Sequence, residues 1–319
     1  MRGPRAWLAT LLAGLLAAGT LAACGTSTEQ DASSQPQGAA VRVRLGTQEF
    51  PEARVIGELW RQALAVNGYA VDLRTGVGPA EDLDTALQAG DVDGYVAYTG
   101  TVLSVVADEE VTGLDPQATY ERAADFYAGQ DMVMSAMTPF QNKDAVATTT
   151  TYARENGLTT IADLARAGGA DGGPVRFGGR EEFRDLDLGL VGLAEVYGLT
   201  DVAFAPLELG TQYDALDDGE VDAVDAFTTD PQLDGGDYTL LEDPELLFGS
   251  QNVVMVVGED KLERIDGEAF LTVVDAVNAE LTEEAMVAMN ASVTDGRAPD
   301  EVAREFLDDV GLTTPLDLG

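Results

Sequence analysis

Polar and apolar residues alternate over Val41–Gly46, with Val41, Val43 and Leu45 on one face, which predicts a strand. From Glu52 to Asn67 the period lengthens to that of a helix: Val55, Ile56, Leu59, Trp60 and Ala63 share one side, and Gly68 closes it. Ala70–Arg74 reads as a second strand, and the loop Gly76–Pro79 leads into a further helix. Pro116–Gln130 is helical in pattern, and Val133-Met134 is a strand leaving the unit. Strand, helix, strand, helix, strand is the order of a wound α/β sheet.

The alternation starts afresh at Ala145. Ala145–Thr149, Val175–Gly178 and Ala203–Pro206 are predicted strands; Ile161–Arg166, Leu188–Tyr197 and Thr211–Asp218 are predicted helices. Thr239–Leu241 and Asn252–Val257 add two strands, and the tail from Gly267 to Val310 is helical. Phe270, Val273, Val274 and Val277 lie on one face of that tail, and Val302, Phe306 and Leu307 on another. The expected architecture is α/β in two lobes, residues 41–140 with 252–319 and residues 141–251. The chain is expected to cross between them near Pro139–Asp144 and Gly249–Asn252.

One pattern occurs twice. Ala86–Thr101 (ALQAGDVDGYVAYTGT) aligns without a gap on Ala215–Asp230 (ALDDGEVDAVDAFTTD), matching Gly90 with Gly219, Asp93 with Asp222, Tyr98 with Phe227 and Thr99 with Thr228. Each copy reads as a helix end, a glycine stop, a short half-buried strand, then an aromatic and hydroxyl residues. Two copies in two similar lobes present those ends to one shared cleft, because open α/β sheets bind ligands beyond the carboxyl ends of their strands.

The first residues read as a processed segment. Arg2 and Arg5 precede an apolar run from Trp7 to Ala23, the pattern of a secretory signal over residues 1–23. Leu21-Ala22-Ala23-Cys24 resembles a bacterial lipobox, which marks Cys24, the only cysteine, for lipidation. Gly25–Ala39, rich in Ser, Gln, Gly and Thr, has too little apolar surface to fold and reads as a tether within residues 24–40.

Composition then removes options. With 18 basic and 57 acidic residues the formal charge is −39, a surface that repels nucleic acid and steers cations inward. The chain has no histidine, which removes Ser-His-Asp and Cys-His catalysis and imidazole metal ligands. Asp91 with Asp93, or Asp185 with Asp187, completes no calcium loop, and Gly168–Gly179 lacks the Lys and Ser/Thr of a phosphate loop. No cofactor or metal is expected. A carboxylate-dependent enzyme and a ligand-free surface adaptor stand as rival readings.

Leu45-Gly46-Thr47-Gln48-Glu49-Phe50, the two repeats, Phe177-Gly178-Gly179 with Glu182-Phe183, and Tyr213-Asp214-Ala215-Leu216 together resemble the glycine betaine/choline class of solute-binding proteins. These are the capture components of osmoprotectant ABC importers. The resemblance implies a two-lobed type II binding-protein fold that closes by hinge bending. It also implies a monomer, lipid-anchored outside the membrane, that binds a small cation or zwitterion and docks on permease subunits. It implies no enzymatic activity.

In that family tyrosines box a quaternary ammonium group by cation–π attraction. Carried onto this chain, Tyr98 matches a box tyrosine and Phe227 falls where another usually sits. Asp144 and Gln251 replace two more, Gln48 stands where Lys is frequent, and Leu186 where Arg is frequent, with Arg180 and Arg184 nearby. Tyr98 and Phe227 are expected to supply ring faces, Thr101 and Thr228 hydrogen bonds, and Asp144 negative charge. Arg184 is expected to reach a ligand carboxylate, with Gln48 and Gln251 also in the site. If Arg184 stays out of the cleft, a choline-like cation fits better than glycine betaine; Asp144 is also able to favour another amine or amino acid.

Overall fold

The computed structural model describes residues 42–318 except Leu209, so the expected signal, Cys24 and tether lie outside the described residues. Ten strands follow in chain order: β1 (Arg42–Gly46), β2 (Ala70–Arg74), β3 (Gly94–Tyr98), β4 (Met132–Met134), β5 (Asp144–Thr149), β6 (Val175–Gly179), β7 (Val202–Pro206), β8 (Ala223–Phe227), β9 (Tyr238–Leu241) and β10 (Val253–Gly258). They form two five-stranded sheets, ordered β2-β1-β3-β10-β4 and β7-β6-β8-β5-β9. In each, three parallel strands are followed by one antiparallel strand that arrives from the other sheet, β10 beside β3 and β5 beside β8. This is the type II arrangement of a two-lobed α/β binding protein. The chain passes between the sheets after Met134 and returns after Leu241, and the two passages touch through the bridge Gln141↔Asn252.

The repeat occupies the same place in both sheets, since β3 and β8 are each third in order. Gly90 and Gly219 take left-handed φ of 71° and 65°, a conformation that glycine adopts without Cβ strain. The repeated aspartates have a shared structural task. Asp93 accepts from the backbone N–H and the guanidinium of Arg44 in β1, and Asp222 accepts in the same way from Arg176 in β6. Each pair fixes the parallel register of two neighbouring strands by charge-assisted bonds. Lys261 adds a second cation at Asp93, 3.1 Å away. Although burial opposes ionisation, these cations hold the Asp93 carboxyl below its usual range. Asp93 is therefore engaged by protein cations, not exposed beside Asp91.

The tail, expected to be helical from Gly267 to Val310 with two apolar faces, consists of three helices, Gly267–Glu280, Glu283–Thr294 and Pro299–Asp309. Thr282 caps the second by accepting from the N–H of Ala285, and Pro299 opens the third after Gly296. All three return to the first sheet: Phe270, Val274, Met286 and Leu307 share a core with Leu59 and Trp60 of the helix Pro51–Val66. A helix over Thr150–Asn156 is not evident from the apolar pattern, because only Ala153 in it is buried. Among the described residues no helix is long and apolar enough to cross a membrane.

Candidate functional site

The cleft begins where β3 and β8 end. Tyr98 closes β3 and Phe227 closes β8, so the repeat delivers one ring from each lobe. A third ring, Phe50, precedes the helix Pro51–Val66, and its centroid lies 5.9 Å from that of Tyr98 with the planes tilted by 40°. Pro51 starts this helix without an N–H to lose, and the helix dipole favours the carboxylate of Glu52 in the first turn.

Glu52 is the buried anchor of the cleft wall. Its Oε1 accepts from the Tyr98 hydroxyl at 2.8 Å and the Asn142 amide at 2.9 Å, and its Oε2 accepts from the Asn290 amide at 3.1 Å. Thr229, from the other lobe, also favours its ionised form. Burial pushes the Glu52 carboxyl upward, whereas these donors favour the ionised form and pull it back. Burial also raises the Tyr98 phenol well above its usual value, with the Glu52 charge adding to it. The Tyr98 hydroxyl is thus committed to the protein, and the ring is what it offers a ligand.

Two cavities adjoin at Phe50, Asn142 and Phe227. The larger, about 600 Å³, is lined by Gln48, Tyr98 and Thr101 beyond the shared residues, and the smaller, about 380 Å³, by Glu52, Thr229, Asp230 and Asn290. Among the described residues, no lysine or arginine lines either of them. Gln48 donates its amide to the carbonyl of Val96, leaving Oε1 without a partner, and Asn142 and Asn290 likewise have unpartnered Oδ1 atoms. The walls therefore combine aromatic faces with amide side chains whose buried oxygens lack partners.

The remaining candidates from the sequence stand behind or beside these walls. Asp144 pairs with Arg180 at 2.8 Å, and the same Arg180 Nη1 reaches Asp225 at 2.8 Å. The Arg180 guanidinium also lies 5.4 Å from the Phe227 ring centroid. Asp144 is thus already neutralised by a protein cation and is absent from the lining of both cavities. Burial, reinforced by the charge of Asp144, outweighs Arg180 and pushes the Asp225 carboxyl up to about 8. Gln251 accepts through Oε1 from the backbone N–H and hydroxyl of Thr101, which orients Thr101 at the cavity without Gln251 lining it. Thr228 donates to the carbonyl of Gln141 and accepts from the N–H of Lys143, clasping the crossing strand. Arg184 ends the short turn Glu181–Arg184, lies over Phe204 at 4.8 Å and pairs with Glu181, away from both cavity linings.

Phe50, Glu52, Asn142 and Asn290 escaped the sequence reading as site residues. Phe50 is visible within the Leu45–Phe50 motif, but Glu52 reads as the start of a helix and Asn290, in Asn290-Ala291-Ser292, as an incidental glycosylation acceptor. They come together across 238 residues of chain.

Two lobes of matching topology, a double crossing and an aromatic cleft at the strand ends define a solute-binding protein. Residues 41–309 match the family described as the substrate binding domain of ABC-type glycine betaine transport systems, and the chain belongs to that family. It is 30% identical over 278 residues to a glycine-betaine-binding protein of Pseudomonas aeruginosa, covering 84% of this chain and 88% of that one. The fold is similar to a crystal structure described as a glycine betaine/carnitine/choline ABC transporter, with TM-score 0.78 at 22% identity over 85% of this chain and 99% of that one. It is also similar to apo YehZ of Escherichia coli, with TM-score 0.75 at 22% identity over 86% and 100% of the two chains. Proteins of this family serve import as extracytoplasmic binding components.

Proposed function

We propose that this protein captures a quaternary ammonium cation without a carboxylate, of the choline type, between Tyr98, Phe50 and Phe227, and delivers it to an ABC permease. The observation that carries this reading is the pairing of three rings with cavity walls that hold acceptors and no lysine or arginine. A quaternary nitrogen has no N–H to donate, so ring faces suit it, each contributing about 0.5–2 kcal/mol. Among the described residues that line the two cavities a ligand carboxylate meets no lysine or arginine: Leu186 and Gln48 stand where the family often carries Arg and Lys, Arg184 pairs with Glu181, and Arg180 serves Asp144 and Asp225.

In this reading the mature protein is a monomer anchored through lipid on Cys24, with the body held outside the membrane by the tether. Hinge bending about the Gln141–Asn142 and Gln251–Asn252 crossings closes the lobes on the ligand. Calorimetric titration of residues 40–319 tests the ligand. Choline binding at least about ten-fold tighter than glycine betaine, a gap of about 1.4 kcal/mol, is expected. Equal or tighter binding of glycine betaine overturns the choice of cation.

A further inference from the structure

The larger cavity, with Tyr98, Gln48 and Thr101, accommodates the quaternary group and leaves the smaller one without an assigned occupant. That compartment spans both lobes: Glu52 and Asn290 come from one, and Thr229 and Asp230 from the other. Its polar chemistry is one-sided. Asn290 is 7% exposed, and its amide nitrogen serves Glu52 and the carbonyl of Thr229 at 2.9 Å, so its Oδ1 is the atom left without a partner. The acceptors of Glu52 and Thr229 fix the orientation of that amide, which turns the oxygen away from both. Asn142, shared by the two compartments, repeats the arrangement: its nitrogen donates to Glu52 and its Oδ1 is unpartnered. Asp230 takes both of its protein bonds, from the Tyr213 hydroxyl and the N–H of Phe227, on Oδ2. Buried acceptors without donors are costly unless a ligand completes them. Phe50 and Phe227 supply an apolar passage between the compartments, able to line a methylene chain.

We infer that this second compartment is a subsite for a primary ammonium group, so that the substrate is an elongated organic dication, quaternary at one end and carrying N–H donors at the other. The inference rests on the proposed quaternary ammonium function and extends it. Three ammonium hydrogens match three acceptors here, the amide oxygens of Asn290 and Asn142 and the carboxylate of Asp230. The chain's strongly acidic balance favours capture of a divalent cation over a monovalent one.

The test is titration with choline, (4-aminobutyl)trimethylammonium, pentyltrimethylammonium and carnitine. The two long-chain probes have equal heavy-atom counts and differ only at the terminal group, a charged ammonium donor in one and a methyl in the other. The general attraction of the acidic chain for the extra charge persists in the Asn290 and Thr294 variants, and only the part due to the subsite is lost in them. The amino-tailed probe is expected to bind about ten-fold or more tightly than the pentyl probe, the scale of a hydrogen bond to a charged group. Asn290→Leu removes the buried acceptor and Thr294→Trp, at an exposed rim position of the same compartment, narrows it. Each is expected to bring the ratio of the two affinities to within about two-fold. Unliganded melting temperatures establish that each variant is folded, and the surface position of Thr294 protects the test if Asn290→Leu is not. Choline binding with no gain from the amino tail overturns the subsite alone, as does a greater gain from the carboxylate of carnitine. Failure of every trimethylammonium compound to bind overturns the functional reading and the inference together.

Discussion

The hydroxyl of Tyr98 donates to the buried carboxylate of Glu52 at 2.8 Å, tying the end of a strand to the first turn of a helix 46 residues earlier. The bond separates two roles of one side chain: its hydroxyl stabilises the wall, and its ring faces the cleft. Tyr98→Phe is therefore expected to cost about 1–2 kcal/mol of stability, through the lost donor to Glu52, while cation affinity changes less than about three-fold. Tyr98→Ala is expected to lower affinity by about ten-fold or more and to destabilise by about 3–5 kcal/mol. Calorimetry and chemical denaturation on both variants check this.

Asp225 carries a pH dependence of known sign. Its folded pKa of about 8 exceeds its ordinary value of 3.8, chiefly through burial, so the folded state binds a proton that the unfolded state has released. This contribution to stability is fully present below about pH 4 and is lost as pH rises toward 8. Asp144 and Asp230 oppose the Asp225 charge and Arg180 supports it. Asp225→Asn is expected to flatten the fall in melting temperature between pH 5 and 8 relative to the unsubstituted protein; a parallel profile contradicts it. Asp144 preserves one partner for Arg180 in that variant.

The repeated aspartates are expected to matter for folding and not for the ligand. Asp222→Ala removes the acceptor for the Arg176 backbone and guanidinium, and a loss of about 1.5–3 kcal/mol follows from charge-assisted bonds, toward the lower end because Arg176 is 35% exposed. Denaturant midpoints measure the loss, and the ligand affinity of the folded fraction is expected to remain.

Gln48→Lys introduces the cation that the cavity lacks. Choline affinity is expected to fall by about ten-fold through like-charge repulsion, and preference is expected to move toward glycine betaine, whose carboxylate gains a partner. Titration with the two ligands reads the ratio directly.

Cys24→Ala is expected to release the protein from the membrane. Full-length protein expressed in a bacterial host and partitioned into detergent tests this: the unsubstituted chain enters the detergent phase and the variant stays in water. Equal partitioning of both contradicts lipidation at Cys24.

Periodicity was a reliable guide where one face is buried. The helix of Trp60, the strand around Val43, and the tail residues from Phe270 to Leu307 show their burial in their spacing, because an apolar stripe repeats at the period of its element; the strand around Val254 is instead a continuous apolar run, buried on both faces. It failed over Thr150–Asn156 and at the breaks near Leu281 and Gly296, where caps and solvent-facing turns decide the path. The site was legible to the extent that rings end repeated strands. Asp144 and Arg184 looked equally available for a ligand in the sequence, yet each pairs with a charge in the folded chain.

The sequence by itself determined the two wound sheets, the equivalent places of Tyr98 and Phe227, and the absence of imidazole chemistry, because each follows from local spacing or residue type. Only the tertiary structure decided which charges remain for a ligand. Arg180 is engaged by two aspartates that the chain brings from 36 and 45 residues away, with Asp144 supplying the counter-charge, and Glu52 is buried beneath donors from both lobes and the tail. Charge pairing depends on distance in space and on burial, and neither is written in the order of the residues.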